Sequence, residues 1–385
     1  MVWWNNLRLK SKDPQTRCKA IESLNPESGV DANTFELLAA SLGDSEVSVR
    51  IAAVKVLAST NDERVVELVV PLLRDSSPEV RQSAATALGH LADPQVTCVL
   101  AAALKDPCLN VRSSAAMALR NLNWRATSGE EQASYEVALG NARGAALQGE
   151  AAVAPLVTEL NHDTGFGRRA AAEALEGVVD PRRIEPLLAA LDDDEATVRV
   201  SAIHALGKET CEPVSAALLR SLRDHEGCVR LAAAQVLGKR ENPELVPYFL
   251  ALASDTHFEV RLTAVQFLGR FYSPQIVEAL KQRLTDKDTD VRLAATKALG
   301  AMRDPASIQA LVLVLVDEER AIRSAAEFSL NQVDPSWAQS EAAQQAANRL
   351  EASLNERPAW VRAATLQVLA KLRTATEALP VQTSS

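Results

Sequence analysis

The stretch Asp286-Lys-Asp-Thr-Asp-Val-Arg292-Leu-Ala-Ala-Thr-Lys-Ala-Leu-Gly300 decides how this chain is read, because it recurs. An Asp stands six residues before an Arg, small residues follow, and a Leu comes seven residues after the Arg. The phrase returns at Asp255–Gly269, Asp224–Gly238, Asp193–Gly207 and Asp75–Gly89, and in altered form from Asp44 and Asp106. Taking the Arg as position zero gives a register of Arg17, Arg50, Arg81, Arg112, Arg168, Arg199, Arg230, Arg261, Arg292, Arg323 and Arg362. Seven of its ten intervals are 31 residues, and the others are 33, 56 and 39. A fixed period of this kind marks a repeat architecture in which each unit packs only on its neighbours.

Within one unit, Val65–Arg74 has the helical spacing of apolar residues and runs into Asp75-Ser-Ser-Pro78. Pro78 suits the first turn of a following helix, where a missing N–H costs nothing. That second helix, Glu79–Leu91, is expected to end near Gly89, and Asp93-Pro94 turns the chain into the next unit. A single helix pair cannot bury its apolar faces, so stacking is obligatory. The expected fold is all-α: a right-handed α-solenoid, or superhelix, of about eleven helix pairs.

Two breaks in the rhythm divide the chain. The expected parts are N-terminal repeats over 1–122, a helical insert over 123–150, C-terminal repeats with a cap over 151–373, and a disordered polar tail over 374–385. The insert reads as a loop, Arg125–Gly129, and one helix from about Glu130 to Leu147. Near the C-terminus a first helix lengthens to Ser336–Leu354, before a last helix over Pro358–Leu372.

On a wheel of about 100° per residue, positions +3 and +7 from the Arg form the core stripe. They are Ala and Leu in nearly every unit. Positions +1, +5 and +8 lie opposite, toward solvent. The recurring Asp and Arg predict a ladder of ion pairs across unit boundaries, with the Asp also capping the second helix at its positive end. An Arg row that reads phosphates or carboxylates is the alternative, and it is disfavoured because the acids recur with the bases and cancel them. Position +5 is variable and mostly polar, as at His204, Gln235, Gln266 and Lys297. Position +1 instead carries Val200, Leu231, Leu262 and Leu293, one per repeat. Two readings stay open. Either these side chains form an apolar stripe on an exposed face, which marks an interface, or the curvature of the stack tucks them against adjacent helices. On the first reading these eight residues bind a partner.

Bulk properties narrow the function. A formal charge of −9 argues against nucleic acid as a partner, because such binding needs a basic face. Five cysteines without close pairing suit a reducing interior. With no apolar run of signal-peptide or membrane-span length, a cytoplasmic protein without stable membrane insertion is expected. Trp3 and Trp4 read as covering the first repeat rather than as interfacial anchors. His90, His162, His204, His225 and His257 make no zinc spacing with the cysteines. There is no phosphate-binding glycine loop and no Gly-x-Ser-x-Gly elbow. No catalytic residue, cofactor or metal is expected.

The phrases at 224–238 and 286–300 closely resemble HEAT repeats of the phycobilisome-lyase-like class, over about Asp13 to Leu372. The insert is similar to an interruption seen between such repeats in bacterial proteins, cyanobacterial ones especially. Together with the outward-facing residues, the leading expectation is a non-enzymatic scaffold or adaptor that binds a protein partner in its concave groove. The resemblance also implies an alternative, because some members of the class are subunits of lyases that attach bilins to phycobiliprotein cysteines. That alternative is a bilin lyase subunit or chromophore chaperone. No lyase-specific motif carries over to positions here. His225-Glu226 is the only His-Glu dipeptide, so helical-repeat hydroxylases that hold iron with several such pairs are a poor match.

Overall fold

The turn inside each repeat is made by its Asp. Asp44 accepts the N–H of Glu46 at 2.9 Å, Asp75 that of Ser77 at 2.8 Å, and Asp286 that of Asp288 at 3.0 Å. The structure, a computed structural model, describes residues 8–24, 30–60, 62–161, 164–352, 354 and 359–377. The residue tethered in this way is the N-cap of the second helix, so the Asp stands two places ahead of the cap. This corrects the expectation that the Asp itself caps the helix. Its short side chain reaches the N–H two residues on, which closes a loop rather than a helix end.

The chain forms two compact units, Met1–Leu206 and Gly207–Ser385. The first contains α1 (Pro14–Glu22), α2 (Ala32–Ser41), α3 (Val47–Ala58), α4 (Arg64–Val69), α5 (Pro78–Leu91), α6 (Thr97–Ala103) and α7 (Leu109–Asn121). It continues with α8 (Gly129–Ala138), α9 (Ala142–Ala146), α10 (Val153–Leu160), α11 (Gly165–Leu175), α12 (Ile184–Ala190) and α13 (Ala196–Leu206). The second contains α14 (Glu212–Ser221), α15 (Gly227–Gly238), α16 (Val246–Leu252), α17 (Phe258–Leu268) and α18 (Pro274–Arg283). It ends with α19 (Thr289–Met302), α20 (Ile308–Val314), α21 (Arg320–Val333), α22 (Glu341–Ala352) and α23 (Ala359–Glu377). Short 3-10 turns lead into several of the first helices, and no strand occurs among the described residues.

Second helices pack in a row: α1 on α3, α3 on α5, α5 on α7 and α11 on α13 in the first unit, α15 on α17, α17 on α19 and α19 on α21 in the second. The core is the stripe the wheel predicts. Ala84, Ala115, Ala264 and Ala295 at +3 and Leu88, Leu119, Leu268 and Leu299 at +7 are wholly buried. Burying one such leucine is worth roughly 2 kcal/mol.

Position +8 departs from the wheel. Gly89 and Gly300 are buried within their helices rather than solvent-facing or terminal. A Cβ on Gly89 would meet Ala118 Cβ at 2.6 Å, and one on Gly300 would meet Ser329 Cβ at 2.5 Å. Glycine there lets neighbouring second helices touch backbone to backbone.

The ion-pair ladder is formed. Arg81 donates from Nε and Nη2 to both oxygens of Asp106 at 2.7 and 2.9 Å, Arg230 likewise to Asp255, and Arg261 to Asp286 at 2.8 and 2.6 Å. Nη1 turns back to the carbonyl of its own repeat's Asp, as Arg261 does to Asp255 at 2.9 Å. Each of these three arginines thus ties its own loop to the next one.

Two expected helices are broken. The insert is not one helix from Glu130 to Leu147 but the hairpin α8–α9. Gly140 adopts φ +77°, and Asn141 then caps α9 by accepting the N–H of Gly144 at 3.0 Å. The expected helix Ser336–Leu354 becomes a 3-10 turn at Trp337–Gln339 followed by α22, because Ser340 is extended between them. The last helix runs on to Glu377, into the stretch expected to be a tail. Trp3, Trp4, His162, Pro358 and residues 378–385 lie outside the described residues. No helix among those described is long and apolar enough to cross a membrane.

Candidate functional site

Each second helix presents its +1 and +5 positions on one of its sides. At +5 the side chains of His204 on α13, Gln235 on α15, Gln266 on α17 and Lys297 on α19 are exposed. At +1, Val200, Leu231, Leu262 and Leu293 are half-buried on the same four helices. Every one of the +1 side chains is partly covered, and every one keeps an open flank.

A groove in the second unit brings four of the eight together. It has a volume of about 490 Å³ and is lined by Leu262 and Gln266 of α17 and Leu293 and Lys297 of α19, with Arg270 and Asp290 at its margins. Leu231 and Gln235 lie on the neighbouring helix α15 but do not line this groove, and Val200 and His204 belong to the other unit. In the first unit the same positions line a groove of about 610 Å³ between α3 and α5, where Ile51, Lys55, Gln82 and Thr86 meet His90. The face is thus a recurrent product of the repeat. Small residues at the helix–helix contact let the backbones approach, and the +1 and +5 side chains then stand on either side of the furrow between them.

The charges beneath this face are neutralised in pairs. At Asp44 the Arg17 guanidinium holds the carboxyl below the usual carboxylate range, against a smaller upward push from burial. At Asp255 and Asp286 burial is the largest influence and pushes upward. The bonds from Arg230 or Arg261, together with the loop N–H, outweigh it and leave both carboxyls low. Lys297 makes no ion pair or hydrogen bond among the described residues, so its ammonium is available to a partner. No group of three or more His, Cys, Asp and Glu among the described residues is placed to hold a metal ion. Cys98, Cys211 and Cys228 are exposed free thiols. The groove between α17 and α19 thus combines the apolar Leu262 and Leu293 with the Gln266 amide and the Lys297 ammonium.

One site escapes a reading of the phrase alone. Arg143 stands 31 residues after Arg112 (112 + 31 = 143), on the register, and 25 before Arg168. It lies on α9, so the hairpin α8–α9 is a further helix pair whose second helix is only five residues long. α8 packs on α7 and α10, and α9 packs on α11. Extending the 31-residue period into the insert is the signal that finds it.

A family model described as HEAT repeats matches residues 6–79, 34–120, 66–138, 153–238, 216–285, 246–331 and 277–370. Those segments cover most of the chain and leave out 139–152, where α9 lies. No curated protein sequence matches the chain. Among solved structures, an engineered protein is 21% identical with a TM-score of 0.40, over 86% of this chain and 98% of its own. Human deoxyhypusine hydroxylase in complex with glycerol is 21% identical with a TM-score of 0.29, over 87% and 96%. Importin beta is 15% identical with a TM-score of 0.40, over 96% of this chain and 55% of its own.

Proposed function

This chain belongs to the HEAT-repeat family, and on that premise we propose that it is a non-enzymatic scaffold that holds a protein partner on the face of its second helices. One observation carries the reading: Leu262 and Leu293 line a single groove with exposed Gln266 and Lys297 beside them. An apolar furrow edged by amides and a cation suits large partner side chains flanked by polar groups, the usual anatomy of a protein interface. Leu231 and Gln235 extend the contact along the second unit, and Val200 and His204 hold the equivalent positions on the first unit's own second helix α13. The net charge of −9 sets a nucleic-acid partner aside. A reducing compartment such as the cytoplasm belongs to the same reading, because three of the five cysteines are exposed free thiols.

Photo-crosslinking from position 266, with and without Leu262→Asp and Leu293→Asp, tests the proposal. The expected result is a specific crosslinked protein that is lost from the double variant while its helical circular dichroism is unchanged. Undiminished crosslinking to a folded double variant would overturn it. The narrower kinship with phycobilisome-lyase-like repeats rests on the phrases at 224–238 and 286–300. Co-expression with a phycobiliprotein and bilin tests it, and covalent colour that depends on this chain would replace the scaffold reading.

A further inference from the structure

The row of second helices in the first unit is interrupted at one level. α7 has 13 residues and α11 has 11, whereas α9, between them in the chain, has five. So short a helix leaves a notch of about 460 Å³. Met117 and Arg120 of α7 line it from one side and Phe166 and Ala170 of α11 from the other, with Leu139 and Ala142 from the hairpin. Three of these are large apolar side chains left open to solvent: Met117 is 51% exposed, Leu139 37% and Phe166 71%. Single exposed apolar residues are ordinary, but three around one cavity form a patch of the kind that binds something.

The rim has a sign. Arg120 is exposed. Arg169 lies over the Phe166 ring, 5.4 Å from its centroid. Arg143, with its side chain 87% exposed, is 3.8 Å from Glu173, which Arg169 also approaches at 3.5 Å. Two guanidinium groups, those of Arg143 and Arg169, thus share one carboxylate, and exposed Arg120 adds a third positive charge. Glu159 lines the notch as well, but it is tied to Arg112 at 2.7 Å. On a chain with a net charge of −9 this is a local positive rim around an apolar hollow.

We propose that the notch is the docking site for a short amphipathic helix of a partner protein, one whose apolar face is flanked by carboxylates. The partner helix completes the row where α9 falls short. Apolar side chains at helical spacing enter between Met117, Leu139 and Phe166, and acidic side chains on its flanks meet Arg120, Arg143 and Arg169. The site lies in the first unit and shares no residue with the groove between α17 and α19, so it stands or falls separately from the scaffold face proposed above.

A phage-displayed library of helical peptides of about 16 residues, roughly four turns, tests this on the full chain. Selection is made on the native chain, with counter-selection on Met117→Asp combined with Phe166→Asp. Circular dichroism checks that this variant is folded, and Arg120→Glu with Arg143→Glu, both exposed, replaces it if it is not. The expected peptides carry apolar residues at i, i+3 or i+4, and i+7 with Asp or Glu on the flanks. By fluorescence anisotropy their affinity falls roughly tenfold or more for the arginine variant and weakens with added salt. Recovery of no notch-dependent peptide, of peptides with basic flanks, or of peptides that bind native and variant chains alike would overturn the proposal. So would an apolar dye that fills the notch and that no selected peptide displaces.

Discussion

Arg261 and Arg112 hold the same place in their repeats and meet different partners. Arg261 clasps both oxygens of Asp286, 25 residues on. At that distance from Arg112 stands Val137, and Arg112 reaches past the hairpin to one oxygen of Glu159, 47 residues on. Its Nε is buried without a hydrogen-bond partner among the described residues. The ladder is therefore a consequence of the 31-residue period. Where the period is cut short, charge neutrality is kept by a carboxylate from a first helix and the Arg is more deeply buried, whereas a one-oxygen contact with an unpartnered Nε also occurs on the regular period, at Arg50 and Asp75. The Arg112 and Glu159 side chains are 5% and 9% exposed, against 12% and 4% for Arg261 and Asp286.

The sharpest way to break this contrast is to remove the acid from each pair. Glu159→Ala leaves Arg112 buried and uncompensated, and its expected cost is about 3–5 kcal/mol in urea unfolding. Replacing the pair together, as Arg112→Met with Glu159→Leu, is expected to recover most of that loss, because two buried ions give way to apolar packing. Asp286→Ala comes next at about 1.5–3 kcal/mol, since water reaches the Arg261 side more readily and the lost bonds are charge-assisted. If Glu159→Ala melts no earlier than Asp286→Ala, the two junctions are energetically alike and the contrast fails.

Close approach of the row is a smaller effect. Gly300→Ala sets a Cβ 2.8 Å from Ser329 Cα, so backbone must move, and a loss of about 1–2 kcal/mol is expected. Gly177→Ala meets nothing nearer than Ala174 O at 3.7 Å and is expected to change stability by less than about 0.5 kcal/mol. Thermal melts of the two variants separate a packed glycine from a free one.

The smallest effect is one residue's share of the acid response. Asp44, Asp255 and Asp286 all titrate below the usual carboxylate range in the folded chain. Their stabilisation is complete above the unfolded value of about 3.9 and is lost as pH falls through the lower folded value. The urea midpoint is thus expected to fall with acidification below about pH 5. Asp44→Asn is expected to make that fall shallower. An unchanged slope would show that Arg17 does not hold the Asp44 carboxylate.

Much of this was legible in the repeated phrase. The +3 alanines and +7 leucines were assigned to the core from spacing alone, and Ala295 and Leu299 are wholly buried. The Arg–Asp ladder followed from the recurrence of both charges. Three features did not. The Asp turns its loop instead of capping the helix, because reach to the second N–H is decided by backbone dihedrals. Gly89 looked like a helix end and is a contact point with Ala118, because only a neighbour's position distinguishes the two. The hairpin α8–α9 hid as an insert, because its second helix lacks the Asp and the long Ala–Leu stripe that identify the others.

The candidate face divides in the same way. That Gln266 and Lys297 point outward is a matter of helical period, which the sequence carries in full. That Leu262 and Leu293 share a groove with them depends on how closely α17 and α19 approach, and that distance is a property of two helices together. By itself the sequence determined the repeat, the helix pairs and the identity of the core positions, since these follow from local spacing and the need to bury an apolar stripe. Only the tertiary structure decided where neighbouring helices touch, which carboxylate answers Arg112, and where the row is left open beside Met117 and Phe166. Those outcomes are set between units, where the pattern of one unit is silent.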